Sequence, residues 1–298
     1  MARIRVGPAV ELEYEFDGEP GRPTILMIMG LGLQLTSWPD ELIAALVGRG
    51  YRVLRFDNRD AGLSTQFDAL PAHGVAGAVL RRAAGWPVRS PYGLLDMAAD
   101  SVGLLDALGL VRVHVVGVSM GGMIAQLLAA RHASRTLSLT SIMSTSGARW
   151  LPPPRFDALL ALTRTPPAGA HCEALVEHYM RLFAVIGSPG EQTPRDVLRT
   201  RLRRSLARAF RPAGSARQLL AILAAGDRLA DLAAIGAPAL VIHGELDPLV
   251  PPAAGRDTAR RIPGARMLLV PAMGHDLPLA RIPLLAERIA AHCAASDP

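Results

Sequence analysis

Residues 111–131 read VRVHVVGVSMGGMIAQLLAAR. The apolar run at 111–116 predicts a buried strand, and 122–131 predicts a helix. Between them lies Gly117-Val118-Ser119-Met120-Gly121, the pattern G-x-S-x-G. Glycine and serine are common, so the pattern is weak by itself. Its setting, strand before and helix after, is what gives it meaning. A nucleophile on a sharp strand-to-helix turn sits in strained backbone. Gly117 and Gly121 remove the side chains that would collide there. Ser119 is then expected at the C-terminal end of its strand, beside the positive end of a helix dipole. A phosphate-binding loop would need a Walker lysine, and the chain contains no lysine.

Outward from this turn the pattern alternates between strand and helix. Residues 9–16 alternate polar and apolar, as in a strand with one wet face, and Asp17-Gly18 reads as a turn. Strands are predicted at 25–29, 52–56 and 137–143, and helices at 38–47 and 94–108. The alternation stops near Gly147. It resumes with strands at 239–242 and 266–270 and helices at 253–262 and 284–293. Such alternation implies a parallel sheet with crossover helices. Residues 149–231 are Arg-rich and helical in pattern, and read as an inserted helical cap. The α/β core is then 1–148 together with 232–298.

An unactivated serine hydroxyl is a poor nucleophile. It needs a base, and the base needs an orienting acid. In this type of turn the chain order is serine, acid, histidine. Of eight histidines, His275 and His292 follow the last predicted strands. His292 falls inside a C-terminal helix and is expected on its surface. His275 lies in Pro271-Ala272-Met273-Gly274-His275-Asp276, a loop directly after a strand, and is the expected base. Asp247, in His243-Gly244-Glu245-Leu246-Asp247-Pro248, occupies the same kind of loop and is the expected acid. Glu245 is its near rival. Asp276 adjoins the histidine too closely to align its ring, and Asp227 and Asp231 fall at the end of the cap. Ser119, Asp247 and His275 thus share the strand ends where open α/β sheets bind ligands. His114 and His243 are expected to be structural. An oxyanion needs preorganised N–H donors. The amide after the nucleophile, Met120, should supply one, and Leu31 in the loop Met29-Gly30-Leu31-Gly32-Leu33 the other.

The chain has 298 residues, half of them hydrophobic and 19% charged. That composition excludes bulk disorder, collagen, coiled coil and disulfide scaffold. All 32 basic residues are arginine, and the net charge is +6. Residues 149–231 hold 13 arginines against seven acids, so the whole excess lies in the cap. Arg195, Arg199, Arg201, Arg203, Arg204, Arg208 and Arg211 carry much of it. This run reads either as a solvated basic face or as a positive entrance that steers anionic substrates. No nucleic-acid partner is expected. The two cysteines, Cys172 and Cys293, lie in no short motif and read as free thiols. Residues 1–8 lack the apolar stretch of a secretory signal, and the apolar run 24–35 is too short to span a bilayer. A cytoplasmic protein without stable membrane insertion is the expectation.

These residues resemble the α/β-hydrolase superfamily, and within it bacterial esterases of the aclacinomycin methylesterase type. The segments that carry the likeness are Trp38-Pro39-Asp40-Glu41, Arg55 through Ser64, Ser90-Pro91-Tyr92-Gly93, the turn around Ser119, and Pro271 through His275. Met29-Gly30 stands where most relatives have His-Gly, and the methylesterase-like branch shares the methionine. The resemblance implies an eight-stranded, mostly parallel sheet with helices on both faces and a helical cap after the sixth strand. It implies the triad Ser119, Asp247 and His275, with Leu31 and Met120 amides as oxyanion donors. It makes Arg55–Gly62 a structural loop in which Asp57 and Arg59 bond to neighbouring loops. The expected activity is carboxylic-ester hydrolysis through an acyl-enzyme on Ser119, with no metal or organic cofactor. The expected partner is a small-molecule ester, a polyketide methyl ester being one possible substrate. Enol-lactone, C–C bond and peptide hydrolysis and perhydrolysis use the same triad and stay open, as does a non-turnover ligand receptor.

Overall fold

In a computed structural model the described residues form eight strands and eleven α-helices. It describes every residue except His73, Thr165, Pro167, Ala168, Glu191 and Pro298. The strands are β1 (Ala2–Gly7), β2 (Val10–Asp17), β3 (Thr24–Ile28), β4 (Arg52–Phe56), β5 (Val113–Val118), β6 (Thr136–Ile142), β7 (Ala239–Gly244) and β8 (Arg266–Val270). They form one sheet in the order β1-β2-β4-β3-β5-β6-β7-β8. β1 pairs antiparallel with β2, and β2 with β4; every pairing from β4 to β8 is parallel.

The helices are α1 (Asp40–Val47), α2 (Val75–Ala83), α3 (Leu94–Ala107), α4 (Met120–Arg131), α5 (Phe156–Thr163), α6 (Cys172–Ile186), α7 (Arg195–Arg208), α8 (Pro212–Ala224), α9 (Leu229–Ala233), α10 (Pro252–Arg261) and α11 (Ile282–Ala294). The central strands read as unbroken apolar runs because both of their faces are covered. Leu26, Ile28, Val113 and Val115 point into one core layer with Leu104, Leu105, Ile124 and Leu128. Their neighbours Ile25, Met27, Val116 and Val118 point into the other with Leu42, Leu46, Leu285 and Ile289. The period of two sends successive side chains to opposite layers. Each buried Leu or Ile contributes about 1.5–3 kcal/mol.

Two elements lie outside the sequence reading. β1 is a half-exposed edge strand, and α2 buries only Ala78. His292 is a correction. It is buried on α11, with its Nε2 3.1 Å from the Leu139 carbonyl and Nδ1 3.0 Å from Arg266 Nη2. The reason is geometric: α11 lies against β6, so its inner face includes position 292.

Much of the arginine run is paired. Arg199 pairs with Glu173 and Glu177, Arg203 with Glu173, Arg201 with Glu41, Arg204 with Asp40 and Arg208 with Asp57. Five of the seven side chains are therefore engaged in ion pairs, three of them with residues between β3 and α2. The run ties α7 to α6, to the start of α1 and to the segment after β4.

Four consecutive residues after β4 hold the loops together. Asp57 accepts from the Leu35 and Leu63 amides (2.7 and 2.9 Å) and from Arg208. Asn58 donates to the Met29 carbonyl at 3.0 Å. Arg59 forks onto Asp100 of α3, and Asp60 receives a fork from Arg217 of α8, both bonds 2.8 Å. Asp57 thus bonds to the neighbouring loop as expected, whereas the partner of Arg59 is helix α3.

Asp60 and Arg217 are both buried. Burial alone would raise the Asp60 carboxyl, but Arg217, the Phe67 amide and the Tyr92 hydroxyl outweigh it and hold the group below its ordinary 3.8. Breaking such a pair leaves a buried charge uncompensated, so Asp60→Asn should cost about 3–5 kcal/mol in urea unfolding at neutral pH. The folded chain holds this proton less tightly than the unfolded chain. The pair's contribution is thus present above the unfolded value and lost as pH falls through the lower folded one. The gap between wild type and Asp60→Asn should narrow below about pH 4; a gap that widens on acidification would contradict the pairing.

Candidate active site

Ser119 caps α4 at the end of β5 with φ 55° and ψ −116°. Positive φ is rare for a residue with a Cβ and costs about 1–3 kcal/mol. The surroundings enforce it. The Ser119 amide donates to the Ile142 carbonyl at 2.9 Å, and its own carbonyl accepts from Ser144 Oγ at 2.8 Å. A Cβ on Gly117 would collide with the Gly121 carbonyl, and one on Gly121 with the Ile28 carbonyl. The turn therefore closes only with glycine at both places, which is what the sequence pattern implied.

The structure brings Ser119, His275 and Asp247 into one hydrogen-bonded row. His275 Nε2 lies 3.0 Å from Ser119 Oγ, and its Nδ1 lies 2.7 Å from Asp247 Oδ2. A carboxylate accepts only, so Nδ1 carries the proton and Nε2 is left to accept from the serine. Asp247 is buried, and its other oxygen accepts the Leu249 and Val250 amides at 2.9 and 2.8 Å. The row can polarise a serine hydroxyl and take its proton.

The rivals stand elsewhere. Glu245 is exposed. Asp276 accepts from the amide and hydroxyl of Ser188 and not from the His275 ring. Burial pushes the Asp276 carboxyl up despite those bonds. Asp231 pairs with Arg131. His243, buried beneath the Asp247 loop, has Nε2 2.8 Å from the Val250 carbonyl and 3.5 Å from Asp247 Oδ2.

The helices between β6 and β7 reach the site at two points. The Ile186 carbonyl, at the end of α6, accepts from the His275 amide at 2.7 Å, and Ser188 Oγ accepts from the Gly274 amide at 2.9 Å. On the other side, Gln218 of α8 accepts from the Gly32 amide at 2.8 Å. Gly30 packs directly on Ser119: a Cβ there would lie 3.4 Å from the Ser119 Cβ. Neither the Leu31 nor the Met120 amide has an acceptor among the described residues. Sequence reading did not single out Ser188, Asn58 or Gln218. A lone Ser, Asn or Gln has no motif, and their partners are far away in the chain.

Among the described residues no group of three or more His, Cys, Asp or Glu is placed to hold a metal ion, and no helix is long and apolar enough to cross a membrane.

A mostly parallel sheet with a strained serine at the end of its central strand defines an α/β hydrolase. Residues 23–280 match the model of the alpha/beta hydrolase fold family, and the chain belongs to that family. It is 32% identical to rhodomycin D methylesterase DnrP of Streptomyces peucetius, over 99% of this chain and 98% of that protein. It is 34% identical to rhodomycin D methylesterase DauP of Streptomyces sp. strain C5, over 96% of each. Among solved structures it is similar to the enol-lactonase from Burkholderia xenovorans LB400, with a TM-score of 0.73 and 26% identity over 97% of this chain and 99% of that one. The chain is a hydrolytic enzyme with esterase relatives.

The strain at Ser119 has a measurable consequence. Ser119→Gly and Ser119→Ala both lose the hydroxyl, but only glycine accepts φ 55° freely. The glycine variant should be more stable than the alanine variant by about 1 kcal/mol, after allowing for glycine's greater unfolded-state entropy. Equal melting temperatures would remove the strain argument.

Proposed function

We propose that the protein hydrolyses carboxylic esters through an acyl-enzyme on Ser119, with His275 as general base and acid and Asp247 as its orienting acid. The observation that carries this reading is the unbroken row Asp247–His275–Ser119 beside two undonated amides. Ser119 Oγ attacks the ester carbonyl while its proton passes to His275 Nε2. The carbonyl oxygen becomes an oxyanion and takes the N–H groups of Met120 and Leu31. Collapse expels the alcohol, protonated by His275. Water, deprotonated by the same ring, then attacks the acyl-enzyme and releases the acid.

Residues 149–231 act as the cap that shapes substrate choice in this reading. Leu33, Tyr179, Leu202, Leu206 and Phe210, with Gln34, Ser205 and Arg211, line a small cavity of mixed polarity between the loop after β3 and helices α6–α8. The esterase relatives act on a methyl ester by name. A methyl ester is accordingly the favoured substrate class.

Turnover of p-nitrophenyl acetate and butyrate, and methanol release from methyl esters of polycyclic aromatic acids, test this reading. Ser119→Ala should abolish both activities and labelling by a fluorophosphonate. Asp247→Asn should lower kcat by about 10⁴-fold, since the histidine then loses its tautomer. Full activity in Ser119→Ala would refute the nucleophile. Faster cleavage of enol-lactones than of any methyl ester would move the substrate class to lactones.

A further inference from the structure

The loop Met29–Leu35 is fixed at its ends by the core and in its middle by the inserted helices. At the ends, Asn58 holds the Met29 carbonyl and Asp57 holds the Leu35 amide. In the middle, Gly30 to Leu33 form a tight turn closed by the Leu33 amide on the Gly30 carbonyl at 3.2 Å. Gly32 occupies its third position with φ 68°. A positive φ there is the mark of a type II turn, whose central peptide is turned over relative to the commoner type I.

Gln218 grips that central peptide. Its Oε1 accepts the Gly32 N–H at 2.8 Å, and its Nε2 donates to the Arg59 carbonyl at 2.7 Å. The side chain is fully buried. Its neighbour Arg217 is pinned to Asp60, so the helix that presents Gln218 cannot drift from the loop. With no acceptor for the Gly32 N–H, the Leu31–Gly32 peptide is free to flip. A flip exchanges the places of its N–H and C=O and detaches the turn from α8, so the backbone around Leu31 is no longer fixed in place. The Leu31 N–H belongs to the preceding Gly30–Leu31 peptide, which shares the Leu31 Cα and shifts with the released turn.

We infer that Gln218 is a positioning residue for the oxyanion hole: by holding the Gly32 amide it keeps the adjoining Leu31 N–H aimed at the developing oxyanion. The inference rests on the esterase reading above and adds a residue of the inserted segment to it. An oxyanion donor acts only in the transition state, so its misplacement lowers kcat and leaves KM nearly unchanged.

Two variants decide it. Gln218→Leu should lower kcat for p-nitrophenyl acetate by roughly 10- to 100-fold with KM within about twofold, the scale of a displaced oxyanion donor. Its affinity for a trifluoromethyl ketone, whose hemiketal oxygen takes the oxyanion's place, should fall in parallel. A merely structural role would reduce the number of titratable sites and leave both constants per site unchanged. Gln218→Glu keeps an acceptor for Gly32 and loses the donor to Arg59, so it should retain most of kcat. It also serves where the leucine variant does not fold. Wild-type kcat per site in Gln218→Leu, or an equal loss in both variants, would overturn the assignment. Amide hydrogen exchange at Gly32 supplies a readout without turnover: protection in wild type should vanish in Gln218→Leu. A wild type that protects Gly32 yet hydrolyses no ester would overturn the esterase reading and leave the contact standing.

Discussion

Backbone crowding at the end of β5 governs everything near Ser119. α4 leaves β5 so abruptly that the carbonyls of Ile28 and Gly121 occupy the space where Cβ atoms of residues 121 and 117 would be. That contact sets how closely the loop after β3 approaches the serine, and hence whether an amide of that loop can reach an oxygen bonded to Ser119. Strain at one residue is the cost of the approach. It is held by hydrogen bonds from β6 and from Ser144, which make the relaxed alternative unavailable. Such strain persists only where surrounding structure over-determines the backbone.

The arginines of the inserted helices act as attachments. Their contributions differ widely because exposure decides what an ion pair is worth. Arg199 and Arg203 meet Glu173 at the surface, where pairs contribute about 0.2–1 kcal/mol. Arg217 meets Asp60 out of water, where removing one partner is several-fold more costly. The buried pair and the Asp57–Arg208 pair both join the segment after β4 to helices α7 and α8. A charge count that gives this segment all of the net +6 therefore misleads about its field. Acids between β2 and α2 are the partners of much of that charge, and a positive entrance does not follow from the total.

The sequence made legible what depends on local pattern. Unbroken apolar runs located the central strands because both faces are covered. The glycines around Ser119 were legible because only one geometry needs them. Chain order and places just after strands pointed to Asp247 and His275, which the fold brings beside Ser119. What stayed hidden depends on packing at long range. β1 alternates Arg3 and Arg5 with half-buried Ile4 and Val6, a weak edge-strand signal that also suits an exposed tail. α2 is short and buries only Ala78, so its apolar residues do not mark a core face. His292 could be placed on a helix but not on a face, since its burial depends on β6. Gln218 lies 186 residues from Gly32, and nothing in either residue announces the other.

Two imidazoles share Asp247, and their environments decide which of them takes charge. His275 Nδ1 is 2.7 Å from Oδ2 and its ring faces Ser119; His243 Nε2 is 3.5 Å from the same oxygen and its ring is enclosed. Burial lowers the basicity of His243 below its ordinary value, against the opposing pull of the Val250 carbonyl and Asp247, and proximity to His275 lowers it further. A proton on His275 strengthens that repulsion, so the two rings do not carry charge together. On the esterase reading proposed above, positive charge would then stay on the ring that faces Ser119. His243 meanwhile donates to the Val250 carbonyl, closing the turn whose amides hold Asp247 from the other side. His243 thus shapes the Asp247 loop from behind while its own ring nitrogen is taken by the Val250 carbonyl, leaving the short bond to Asp247 Oδ2 to His275.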